Sequence, residues 1–171
     1  MRILILGGHG FIGCHTSDIL KQQGHTIGVV DCYHQYYTFP DKEYFPILQI
    51  RKDHANSDQT FVGKIEDESF MATVFQEFKP TVVIHLATYP NAKMVARNVT
   101  DATNNMVTAT AIILNLCVKS NVKRFVFASS SMAYGEFNGE IPDETVICNP
   151  NTLYGSYKHQ GERMCQIWNR E

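Results

Sequence analysis

Tyr154 and Lys158 stand four residues apart in the run YGSYK. On a helix that spacing puts both side chains on one face, with Cβ atoms about 6 Å apart. The chemistry such a pair offers is proton transfer. A phenol at its ordinary pKa of about 10 is a poor base near neutral pH, but a neighbouring ammonium and a second positive charge favour the phenolate. Lowering the pKa by about three units corresponds to about 4 kcal/mol, which two cations in a shielded cleft can supply. In isolation a Tyr and a Lys at this spacing are only a surface pair, so their surroundings decide the reading. Ser130, in SSSMAYG, follows an apolar run. Its hydroxyl could hold a substrate alcohol and its developing oxyanion toward Tyr154; a serine there could equally cap a turn.

A second set of residues reads as a phosphate loop. Gly7, Gly10 and Gly13 lie in GGHGFIG, directly after the apolar run RILIL and at the start of a helical segment. Gly7 permits the sharp turn, Gly10 lets backbone approach a pyrophosphate, and Gly13 lets helix and strand pack closely. The free N–H groups of the first turn, with Phe11 and Ile12 in it, and the positive end of the helix dipole face the phosphates. Asp31 ends the next apolar run, 18 residues after Gly13. A carboxylate there binds both ribose hydroxyls of NAD and repels the 2′-phosphate of NADP. Cys32, Tyr33 and His34 follow it, with no Arg, so the cofactor expected is NAD.

The elements that must position these groups alternate along the chain. Strands are expected at 2–6, 25–31, 60–62, 80–87 and 124–130, and helices over 11–23, near 43–54 and from Leu153 to the end. Phe70, Met71, Val74, Phe75 and Phe78 recur on one helical face, as do Met106, Ala109, Ile113, Leu116 and Cys117. Strand–helix alternation implies parallel strands joined by right-handed crossovers. Continuous apolar strands imply a sheet covered on both faces. The expected fold class is therefore α/β, a doubly wound parallel sheet of the Rossmann type, formed by residues 1–171 as one domain.

Composition narrows the function further. The chain has 171 residues, 44% hydrophobic and 19% charged, with a formal net charge of −2 and scattered basic residues. Nothing forms the basic stripe that nucleic-acid binding needs. The five cysteines contain no C-x-x-C pair, which fits reduced thiols rather than disulfides or zinc knuckles. No apolar run is long enough to span a membrane or serve as a signal peptide, so a soluble cytoplasmic protein is expected. The seven histidines show no H-x-x-H or H-E-x-x-H spacing, so no metal is expected. His85 reads as a satisfied core histidine. Tyr33, Tyr36, Tyr37 and Tyr44 could line a sugar or adenine pocket, but read more simply as packing the 32–59 excursion against the sheet.

Taken together, GGHGFIG, Asp31, IHLAT at 84–88, ASSSMAYG at 128–135 and NPNTLYGSYKHQGE at 149–162 resemble the extended short-chain dehydrogenase/reductase family, and within it the UDP-sugar 4-epimerases. The resemblance implies that Tyr154 is the catalytic base, Lys158 its electrostatic partner and a ribose ligand, and Ser130 the third catalytic member. It implies that Asn105 supports the lysine, and that Ile65, Leu86 and Ala87 line the cofactor. It further implies a nucleotide-sugar substrate, a UDP-sugar by preference, with transient hydride transfer to NAD.

Some positions depart from the family pattern. Ser131 and Met132 replace the Asp-Glu pair with which 4,6-dehydratases eliminate water, so epimerisation is favoured over dehydration. Lys64 stands where relatives carry an acidic residue beside the adenine, and Thr88 replaces a small alanine. Family members continue past the Tyr/Lys helix into a smaller substrate domain. The expectation is that a partner copy, a completing chain or a continuation supplies it. Two other functions stay open: a sugar dehydrogenase, reductase or dehydratase of the same family, and a non-catalytic NAD-binding module.

Overall fold

A computed structural model describes residues 1–37, 40–137 and 143–169. Five strands form one sheet: β1 (Arg2–Leu6), β2 (Thr26–Asp31), β3 (Gln59–Val62), β4 (Val82–His85) and β5 (Arg124–Phe127). All neighbours are parallel and the order is β3-β2-β1-β4-β5. The chain leaves β1 toward one edge and returns beside it to build the other, so a crevice opens at the carboxyl ends of β1 and β4.

The residue pattern of β1 shows how the sheet is covered. Ile3 and Ile5 point to one face, with Ile27, Val29 and Leu20. Leu4 and Leu6 point to the other, with Met71, Val74, Phe75, Phe78 and Ile113. Each such side chain removed from water contributes about 1.5–3 kcal/mol. Helix α1 (Phe11–Gln22) covers the first face, and α2 (Asp41–Ala55) packs on α1, with the Ser17 hydroxyl donating to the Ala55 carbonyl. Helix α3 (Glu68–Phe78) covers the second face through four of the five predicted residues, Met71, Val74, Phe75 and Phe78, with the fifth, Phe70, partly buried against them. Its start is capped by the Asp67 carboxylate, which accepts from the Phe70 N–H.

The doubly wound sheet is the expected one, with differences that have local causes. The fourth and fifth strands end at His85 and Phe127, earlier than their apolar runs suggest. One further backbone bond each, Leu86 to Leu6 and Ala128 to His85, closes the ladders, and the chain then turns away at the crevice. Helices α4 (Ala92–Arg97) and α5 (Val99–Thr103) were not expected, because a polar stretch hides their period. A π turn, Asn104–Thr108, joins α5 to α6 (Ala109–Lys119). The last helix, α7 (Leu153–Trp168), starts as predicted, capped by the Thr152 hydroxyl. Residues 170–171, expected to extend it, and 38–39 of the excursion lie outside the described residues. Among the described residues no helix is long and apolar enough to cross a membrane.

Candidate functional site

The glycine loop forms as its spacing demands. Gly7 has φ +79°, and a Cβ there would lie 2.8 Å from the Ala87 amide nitrogen. At Gly13 a Cβ would lie 2.3 Å from the Gly7 carbonyl oxygen, so β1, the loop and α1 meet only because no side chain intervenes. Gly10 differs: a Cβ would meet only the Gly7 oxygen, at 3.1 Å, and otherwise project into open space. No side chain caps the start of α1. Its first amides, with Phe11 and Ile12 exposed, remain available to an anion.

Beside this loop lies a cleft of about 300 Å³. Seven of the predicted cofactor residues line it: Gly7, Gly10, Asp31, Ile65, Leu86, Ala87 and Asn105. The Asp31 carboxylate accepts from the His9 N–H at 3.0 Å and from the Tyr33 N–H at 2.9 Å. These bonds fasten the acid to the loop and leave each oxygen a further lone pair for a hydroxyl. Asn105 and Thr88 each bury a side-chain oxygen that has no partner among the described residues. Both residues line the cleft. Buried polar atoms without partners are costly and point to an absent ligand. An open cradle at Gly10, uncapped amides, an anchored carboxylate and unpaired acceptors therefore fit a dinucleotide.

Several residues here depart from the sequence reading. Tyr33, Tyr36 and Tyr44 line the cleft, so they do more than pack the excursion. Tyr33 stacks on His9, and the Lys52 ammonium lies 4.1 Å from the centroid of its ring. Arg51 also reaches the cleft wall; α2 brings this cation near Asp31 from a place that inspection of the residues after Asp31 does not reach. Asn105 does not hold Lys158. Its amide donates to Glu66 at 3.4 Å, because the π turn aims it at the cleft. Lys64 stays exposed, 3.9 Å from Glu66.

Ser130, Tyr154 and Lys158 come together at the ends of β5 and α7. Tyr154 and Lys158 are both buried. The Lys158 ammonium donates to the Ala128 carbonyl at 2.8 Å and lies 5.9 Å from the centre of the Tyr154 ring. Burial pushes this lysine down to about 8. Burial raises the Tyr154 phenol, and a hydrogen bond from Ser130 opposes it. In the free protein burial thus outweighs the lowering expected from Lys158 and a nicotinamide ring together: the ammonium sits over the tyrosine ring and is engaged by a backbone carbonyl. Ser130 serves both readings, since its oxygen also accepts from the Met132 N–H and caps the turn Ser131–Ala133. The three residues are not in the cleft wall itself. A small apolar cluster joins the two regions: Tyr154, Met106 and Tyr89 belong to it, and the cleft residue Tyr36 packs against it, with its ring centroid 4.8 Å from that of Tyr89.

His85 is buried but only half satisfied. Its Nε2 pairs with the Thr110 hydroxyl at 3.2 Å, while Nδ1 has no partner among the described residues. Burial, aided by the charge of Lys158, lowers its pKa to about 3. It stands as a neutral histidine at the end of β4, not as the satisfied core histidine expected.

Fold and site together define a dinucleotide-binding α/β domain of the short-chain dehydrogenase/reductase kind. The chain belongs to the NAD dependent epimerase/dehydratase family, whose model matches residues 3–171. A UDP-glucose 4-epimerase of Halalkalibacterium halodurans is 32% identical over 96% of this chain and 45% of its own length. Among solved structures, the Thermotoga maritima UDP-glucose 4-epimerase with UDP-glucose is 29% identical, with a TM-score of 0.81, over 100% of this chain and 52% of that one. The Thermus thermophilus UDP-glucose 4-epimerase in complex with NAD is 26% identical, with a TM-score of 0.83, over 99% of this chain and 51% of that one. The chain spans about half the length of the curated relatives it matches.

Proposed function

We propose that this chain forms the NAD-binding and proton-transferring half of a nucleotide-sugar 4-epimerase. The observation that carries the reading is the apolar cluster in which Tyr154 and the cleft residue Tyr36 take part. It supports a reading in which Tyr154, as the proton-transfer group, works at the end of the cleft. Gly7, Gly10 and the first amides of α1 would hold the pyrophosphate, Asp31 the adenosine ribose, and Leu86 and Ala87 the floor. Bound NAD supplies a reversible two-electron acceptor, the chemistry that the protein's own side chains lack.

Tyr154 takes the proton from the sugar 4-hydroxyl and later returns it, while Ser130 holds the alcohol oxygen. Lys158 adds positive charge close to the phenol. With the phenol raised by burial in the free protein, a second cation at the cleft end is needed to favour the phenolate, and the oxidised nicotinamide ring carries one. Ser131 and Met132 offer no acid–base pair for eliminating water, which favours epimerisation over dehydration. A UDP-sugar is the substrate proposed, since relatives of this fold and sequence act on UDP-glucose. A second copy or a further stretch of chain would complete the sugar side of the site.

The test is to incubate the protein with NAD and UDP-glucose, UDP-galactose and UDP-glucuronate, and to follow the products by NMR. Interconversion of C4 epimers without accumulation of NADH is expected. Tyr154→Phe should lower its rate at least about a hundredfold. Net NADH release would favour a dehydrogenase and rejects the epimerase reading, as does turnover that survives in Tyr154→Phe; NAD binding without turnover would mean that the sugar side has to be supplied from outside this stretch of chain.

A further inference from the structure

Three donor side chains take no part in the proposed reaction and are brought together by the fold. The Cys148 Sγ, a His159 ring nitrogen and a Glu162 carboxylate oxygen all lie within 4.8 Å of one another. His159 and Glu162 are three apart on α7 and share a face. Cys148 comes from the segment that leads into that helix. All three are partly exposed, which leaves room for an ion and a water. We propose that they form a zinc site, with thiolate, imidazole and carboxylate as protein ligands and water in the fourth position.

The donor set selects the metal. A thiolate beside an imidazole suits zinc rather than magnesium or calcium, which prefer all-oxygen shells. Zinc at about 2.0–2.3 Å from each donor needs the group to contract by about 1 Å, within the reach of side-chain rotation. An outer bond is already present, since the Ser129 hydroxyl donates to Glu162 and orients its carboxylate. No basic side chain neutralises that carboxylate: the ion pairs among the described residues are Lys21–Asp58 and Lys64–Glu66. A bound ion would tie the Cys148 segment to α7 just ahead of the Thr152 cap, and through Ser129 to the strand end that carries Ser130. Motif spacing could not reveal this site, because its cysteine lies eleven residues before its histidine.

The full chain, reduced and freed of metal, is titrated with zinc by calorimetry and with cobalt(II) by absorption. One equivalent should bind, and cobalt should give thiolate-to-metal charge-transfer and tetrahedral ligand-field bands that zinc abolishes. Cys148→Ser should lose the charge-transfer band, and His159→Gln should weaken binding at least roughly tenfold, both with wild-type circular dichroism. Zinc should raise the unfolding temperature of the wild type and not of Cys148→Ser. Absence of a thiolate band in the wild type overturns the proposal. So does a band that survives in Cys148→Ser, which would place the metal on another cysteine such as the exposed Cys32.

Discussion

His85 illustrates how a single buried group ties stability to pH. It makes edge-on contacts with the rings of Phe125 and Phe127, and one ring nitrogen pairs with Thr110. Its folded pKa, about 3, lies below the ordinary value of 6.5. Between those values the unfolded chain binds the proton and the folded chain does not. The contribution of neutral His85 is therefore complete above the unfolded pKa and is lost as pH falls toward the folded one. Over that window the unfolding free energy should fall by up to about 1.4 kcal/mol per pH unit from this residue. Urea denaturation at several values between about pH 6 and pH 4 measures the slope. A His85→Leu variant should show a shallower dependence whatever its absolute stability. Equal slopes in the two proteins would mean that His85 is protonated in the folded state.

At the scale of elements, two glycines, Gly13 inside α1 and Gly24 just beyond it, have opposite meanings, and they can be separated. Gly24, beyond its carboxyl end, has φ +81°, and a Cβ there would have no neighbour within 4 Å, so alanine meets backbone strain alone. Gly24→Ala should cost about 1 kcal/mol and leave NAD binding unchanged. Gly13 presses against the Gly7 and Gly8 backbone, at 2.3 and 2.7 Å from a Cβ. Gly13→Ala must move the helix off the loop, costing about 1–3 kcal/mol and at least about a tenfold loss of NAD affinity. Urea midpoints and NAD titration of both variants check this; wild-type affinity in Gly13→Ala would detach the loop from the cofactor. The contrast also marks what the sequence could disclose. Glycines fixed by a strand–turn–helix junction, and helices with apolar stripes such as α3, announce themselves through period and spacing. Helices α4 and α5 do not, because their buried residues reduce to Val95 and Ala102. The π turn that aims Asn105 away from Lys158 has no local code that separates it from continuous helix. Arg51 and the Cys148 cluster depend on how α2 and the 143–152 segment fold back, which is tertiary information.

For the whole molecule, the cleft is the common product of segments spread over the first 105 residues. Its wall takes Gly10 from the first loop, Asp31 from the end of β2, Arg51 from α2, Ile65 after β3, Ala87 after β4 and Asn105 from the π turn. A ligand held by so many separate segments binds the folded chain and not the unfolded one, so its binding free energy appears as global stability. At a free concentration about 100 times its dissociation constant, NAD should add about 2.7 kcal/mol. For a domain of this size that corresponds to a rise of roughly 5–10 °C in unfolding temperature. On the reading proposed here, Asp31 is the residue on which selectivity turns: its carboxylate would oppose a 2′-phosphate, whereas Arg51 in the same wall would attract one. Because the acid is fixed by two backbone N–H bonds and Arg51 is held by none comparable among the described residues, the carboxylate should dominate. NADP at equal concentration should then stabilise less than NAD, and Asp31→Ala should reduce the NAD effect while narrowing the gap between the two. Calorimetric melting of both proteins with each dinucleotide decides the matter. A melting temperature indifferent to NAD would remove the cofactor from the cleft, and an equal response to NADP would transfer control of the ribose end from Asp31 to Arg51.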